Sequence, residues 1–226
     1  MDAIRFMKMD FLKMKSQAKV MAIVVIAVLF LVNGMIGDTM GIWSSMYMVF
    51  MGIILSTTPF AIDSAVADGF IKMLPASAKQ RVLGRFLFGV VFLTVCAVCG
   101  SLTVIPYILD GGITIGYILP KVIIFLSVGL CINAIQYVFM YFFEFKNQQY
   151  LALIRMIPGF IFFFGGSFLM EKVGEEKEET LNNLGMVLNY AMEHQGIIAV
   201  VTFFAAILFL LFCVAICAKR EEKKEA

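Results

Sequence analysis

The amino-acid sequence predicts an all-α polytopic membrane protein with six transmembrane helices. Three observations predict it. Of 226 residues 62% are hydrophobic, and the mean hydropathy is +0.94, more apolar surface than a soluble domain of this size can bury. The apolar residues gather in long runs, and runs of about 18 residues or more read as spans. Of the 18 Lys and Arg, all but Lys121, Lys172 and Lys177 fall on one side of a six-span arrangement, which puts both termini in the cytoplasm.

The elements follow in order. Residues 1–19 set Ile4, Met7, Phe11 and Met14 on one helical face among Arg5, Lys8, Lys13, Lys15 and Lys19, and this predicts an interfacial helix on the cytoplasmic surface, with Phe6 and Met9 off the pattern. The alternative is a basic lead-in that only sets topology. The first span covers 20–36, too long for a signal-peptide core and without a small-x-small cleavage site, so it is expected to stay as an anchor. The second covers 42–62, with a bend expected near Ser56, Thr57, Thr58 and Pro59 because proline frees a backbone carbonyl. The third covers 84–107 and the fourth 113–141, where Lys121 beside Pro120 is expected to snorkel toward the headgroups. The fifth covers 151–169, with Gly165, Gly166 and Ser167 as a close-packing face. An acidic external loop, 170–196, carries Leu181, Leu184, Leu188 and Met192 at helical spacing, which predicts an amphipathic segment on the outer surface. The sixth span covers 197–218, and 219–226 reads as a charged, disordered cytoplasmic tail.

The five cysteines lie inside apolar runs and read as small hydrophobes. The net charge of +2 is divided by topology, and no nucleic-acid partner is expected. There is no Gly-x-x-x-x-Gly-Lys-Ser/Thr run to cradle phosphates. The sole histidine, His194, falls in the external loop, and no nucleophile and base are placed together. No catalytic, cofactor-binding or metal-ligating residue is therefore assigned.

The interruption at 63–83 holds the densest chemistry. Asp63, Asp68, Lys72, Lys79 and Arg81 lie there, with Arg85 just beyond. A residue before proline is pushed out of helical geometry, so Leu74 should end one helix at Pro75, and Ser77 is placed to cap the next. From the residues alone two readings stand open. The loop only sets topology, or Phe70, Ile71, Met73 and Leu74 form a short amphipathic segment that a partner engages.

Met73 to Leu87 resembles the Leu-Pro-x-Ser-Arg-x-x-x-Val-x-x-Lys/Arg-Tyr/Phe signature of the small type-2 ABC transporter permeases. Leu74, Pro75, Ser77, Val82, Arg85 and Phe86 keep their places, preceded by Asp68 and Gly69, while Ala78 replaces the usual Arg and Arg81 the usual aliphatic residue. The resemblance covers nearly the whole chain. It implies a transmembrane subunit without a fused ATPase, in which 63–83 forms a coupling helix docked on a separate ATPase through Asp68, Phe70, Ile71, Met73, Leu74, Pro75 and Lys79. It further implies two ATPase copies, which bind ATP and magnesium, and a second permease chain, identical or paired. The layout is similar to the permeases of phenol-soluble modulin exporters, which implies export of amphipathic or hydrophobic peptides across a bacterial plasma membrane. Polar residues inside spans are costly against lipid, so Asn33, Thr57, Thr58, Asn133 and Gln136 are candidates for the translocation path. Met46, Met48, Phe50 and Met51, with Phe160, Phe162, Phe163 and Phe164, are candidates for its adaptable walls. The alternatives are a passive channel and a scaffold or immunity-type membrane protein.

Overall fold

A computed structural model describes residues 2–15, 41–65, 76–109, 115–143, 154, 157 and 194–225, and every regular element among them is an α-helix. In chain order these are α1 (Ala3–Met14), α2 (Gly41–Ser56), α3 (Thr58–Ala65), α4 (Ala78–Leu102), α5 (Ile105–Leu109), α6 (Ile115–Phe142) and α7 (Gln195–Glu225). Four stretches among them are long and apolar enough to cross a membrane: Ser45–Asp63, Ala78–Leu102, Ile115–Phe142 and Gln195–Lys224. The shortest has 19 residues, which at 1.5 Å per residue rises about 28 Å, close to the bilayer's hydrocarbon thickness. The expected spans at 20–36 and 151–169 lie outside the described residues, apart from Ile154 and Ile157. So does most of the external loop, including its amphipathic segment.

Local chemistry sets the helix boundaries. Ser77 opens α4 with a capping box: its hydroxyl accepts from the Gln80 amide at 3.4 Å, and Gln80 Oε1 accepts from the Ser77 amide at 3.3 Å. Two amide donors that the helix cannot use are thereby satisfied. The second span breaks at Thr57, as the sequence leads one to expect. Pro59 has no N–H to donate, and the Phe60 amide bonds to the Thr57 carbonyl, three residues back, at 3.1 Å. The loosened Ser56 carbonyl accepts instead from the Tyr137 hydroxyl of α6 at 2.9 Å.

Helix packing centres on α4 and α6. Helix α2 lies on both, α7 runs along α6, and α1 lies across α4. One core layer joins Phe60, Val82, Phe86, Tyr137, Met140 and Cys217, and a second joins Val49, Ile53, Leu93, Leu130 and Ala206. Much of the remaining apolar surface faces outward. On α7, Ile197, Phe204 and Leu208 are 62 to 68% exposed, a stripe that belongs in lipid or against other helices.

Two expectations change. The tail is helical to Glu225, because its charges find partners: Arg220 donates to the Phe142 carbonyl at 2.8 Å and stacks on that ring, Lys79 reaches Glu222 at 3.2 Å, and Lys224 pairs with Glu221. Arg220 thus covers a carbonyl in the last turn of α6, where helix carbonyls lack intrahelical donors. The side of α1 that packs on protein is also not the apolar face that the sequence pattern marks. Phe6, Asp10 and Met14 are buried, whereas Ile4 and Leu12 are open. The reason is Gly84, which lets the α1 backbone lie directly on α4. A Cβ there would stand 2.5 Å from Phe6 Cβ and 2.7 Å from the Ala3 carbonyl oxygen.

Candidate functional site

Asp10 sits one helical turn after Phe6, so burying Phe6 carries a carboxylate inward with it. Burial of that charge requires opposite charge nearby. Lys13 Nζ lies 3.2 Å from Asp10 Oδ1 and 2.6 Å from Asp63 Oδ1. Arg85 Nε lies 3.6 Å from Asp10 Oδ2, and the Arg85 guanidinium also pairs with Asp63. Two carboxylates and two cations thus form a neutral quartet drawn from α1, α3 and α4. The Asp10 side chain is fully buried, and Arg85 is only 10% exposed. Burial pushes the Lys13 ammonium below its ordinary value, Arg85 pushes it the same way, and Asp10 opposes them.

The quartet continues into the interior through aromatic rings. The Arg85 guanidinium lies 4.2 Å from the centre of the Phe60 ring. Phe60 meets Tyr137 edge-on at 5.1 Å, and Phe86 meets Tyr137 at 5.2 Å. Tyr137 in turn holds the broken second span through Ser56. The Ser56 hydroxyl stands between the Ile53 carbonyl at 2.8 Å and Asn133 Oδ1 at 2.6 Å. Gly89 makes room for this cluster, since a Cβ there would stand 2.5 Å from Asn133 Nδ2 and 3.0 Å from Tyr137 Oη. Replacing Tyr137 by Phe removes the donor to a buried carbonyl while keeping the ring. A loss of about 1–2 kcal/mol in unfolding free energy is expected, measurable as an earlier denaturation transition of the purified chain.

The chain matches the family model described as ABC-2 family transporter protein over residues 6–219, nearly its full length. It belongs to the ABC-2 transporter family. Searches of curated proteins and of solved structures return no match. Membership makes the chain a multi-pass membrane transport component of the permease kind, a class that is generally non-catalytic and works with an ABC ATPase.

In this ABC-2 permease the sequence-derived site residues are distributed as follows. Asp68, Phe70, Ile71, Met73, Leu74 and Pro75 lie outside the described residues, as does Asn33. Lys79 is exposed in the first turn of α4 and pairs with Glu222. Of its neighbours, Arg81 is buried, its guanidinium donating to the Ala76 carbonyl at 2.9 Å, and Arg85 belongs to the quartet. Thr57, Thr58, Asn133 and Gln136 are all buried within the single chain. Thr57 donates back to the Ile54 carbonyl, Asn133 holds Ser56, and the Gln136 amide donates to the Ile154 carbonyl at 3.3 Å. Met46 and Phe50 line a shallow apolar cleft between α2 and α6, facing Phe125, Val128 and Gly129.

Sequence reasoning did not assign Asp10, Lys13 or Tyr137 to a site. Asp10 carried a usable signal, being a carboxylate within a basic segment, three residues before a lysine and four after a phenylalanine. Tyr137 carried none, because its role depends on a carbonyl 81 residues away.

Proposed function

We propose that this chain is the six-span permease subunit of an ATP-driven exporter. Both termini face the cytoplasm of a bacterial cell, and ATP is hydrolysed on a separate ABC ATPase, present in two copies. The segment from Asp68 to Pro75 docks on that ATPase as a coupling helix, with Lys79 at the rim of the contact. A second permease chain, identical or paired, completes a pathway for amphipathic or hydrophobic peptides.

The observation that carries the reading is the quartet at the two flanks of the coupling segment. Asp63 precedes the segment and Arg85 follows it, and both are tied to each other and to α1. A push on a loop with loose ends is absorbed by the loop. With ends joined by buried ion pairs it moves α3 and α4 together, and Phe60 and Tyr137 carry the movement to the break at Thr57. Met46 and Phe50 support an adaptable apolar wall, because unbranched and aromatic side chains repack around varied ligands.

The test is transport in inverted vesicles that contain the chain and its ATPase. Uptake of a fluorescent amphipathic peptide is expected only with hydrolysable ATP. Conductance through the purified chain without nucleotide would point to a passive channel instead. Lys79 gives a finer prediction. Its pair with Glu222 is solvent-exposed, so Lys79→Ala should change stability by less than about 1 kcal/mol. The same substitution should measurably weaken ATPase binding, read as a higher ATPase concentration for half-maximal stimulated hydrolysis.

A further inference from the structure

The burial of Phe6, Asp10 and Met14 assigns one side of α1 to the protein. The opposite side has a definite composition. Ile4, Arg5, Lys8, Leu12 and Lys15 are exposed, and at about 100° per residue they fall within a single arc of about 100°. Ile4 is 56% and Leu12 67% exposed. None of the three cations pairs with a carboxylate among the described residues, and Asp2, ahead of the first turn, lies outside the arc.

We infer that this outward stripe of α1 is a binding surface for anionic phospholipid headgroups. Two apolar side chains set among three cations fit a membrane surface better than water. The aliphatic groups enter the acyl boundary, while the long Arg and Lys stems lie along it and bring their charges to the phosphates. The stripe contains no acid, so its charge complements an anionic surface along its whole length. The internal quartet is neutral by itself, and among the described residues no carboxylate competes with that surface for Arg5, Lys8 and Lys15. The helix therefore joins two layers: lipid on one side, and the flanks of the coupling segment on the other. Anionic lipid would hold α1 down on α4 and so stiffen the connection between Asp63 and Arg85. The inference needs a membrane-embedded chain but no ATPase and no particular substrate.

The test uses the full chain with Leu12→Trp and Trp43→Phe, so that the indole at position 12 is the only one. It is reconstituted without ATPase or nucleotide into vesicles of phosphatidylcholine and phosphatidylglycerol at fixed composition. The acyl chains of one lipid or the other are brominated at equal mole fraction. The expected result is quenching by both, at least about twofold stronger with brominated phosphatidylglycerol, since each cation near an anionic surface adds attraction. Raising the salt concentration should remove that excess, as should Arg5→Gln combined with Lys8→Gln and Lys15→Gln. Equal quenching by the two lipids overturns the anionic preference. Absence of quenching places the stripe against water or a protein partner and overturns the inference altogether. If the triple variant fails to reconstitute, the salt series on the single-indole chain decides the matter alone. Because no transport is measured, either failure leaves the proposed export function to its own test.

Discussion

Arg85→Ala should destabilise the chain by about 3–5 kcal/mol, the cost of breaking a buried ion pair from one side. With the guanidinium gone, Asp10 and Asp63 share only Lys13 among the described residues, which leaves one carboxylate there without a counter-charge. The Phe60 ring also loses the cation that covers it. A purified sample should show a clear drop in its denaturation midpoint, together with weaker hydrogen-exchange protection in α1. The rescue is specific. Arg85→Met combined with Asp63→Leu removes one charge of each sign, leaves the Asp10 and Lys13 pair intact, and should recover most of the loss. A variant as stable as the parent would mean that the guanidinium does not balance the two carboxylates.

Gly84→Val should lift α1 off α4. A Cβ at this position meets the Ala3 carbonyl and the Phe6 Cβ at 2.7 and 2.5 Å, and neither is the end of a flexible side chain that could swing aside. Overpacking of this kind costs about 1–3 kcal/mol, and here it acts where the α1 backbone rests on α4, one turn before Asp10. Hydrogen exchange should report faster exchange in α1, while the protection of α6 and α7 changes little. Gly116→Ala is the control, because a Cβ there meets nothing within 4 Å. Unaltered α1 protection in Gly84→Val would show that α1 is not held at this point.

The features of this fold that were legible in the sequence are those set by composition and by local chemistry. Apolar runs mark the spans, and four of them stand among the described residues as helices of membrane-crossing length. Ser77 with Gln80 marks a helix start, and Pro59 marks the break in the second span. Features that depend on distant residues were not legible. The periodicity of α1 points to Ile4, Met7, Phe11 and Met14, but a glycine on another helix decides which face goes inward. The tail composition reads as disordered because its partners, Phe142 and Lys79, are far away in the chain. The same holds at the site. Asp63 and Arg85 stand out as charges beside spans, yet only the packing of α1 shows that they close a circuit with Asp10 and Lys13. Thr57, Asn133 and Gln136 stand out as polar residues in lipid, and the structure shows a partner within the chain for Thr57, for Asn133 and for the Gln136 amide nitrogen, while Gln136 Oε1 is buried without one among the described residues.

The segment from Asp68 to Pro75 is proposed to transmit work between a separate ATPase and these helices. This coupling is tested most directly by purifying the chain with its ATPase and measuring ATP hydrolysis with and without an amphipathic peptide. The measurement compares the native sequence with one in which Phe70 to Leu74 are replaced by Gly and Ser. The account predicts peptide-stimulated hydrolysis for the native chain and loss of that stimulation in the replaced one, at equal yield of membrane-inserted protein. Equal stimulation in both would contradict it.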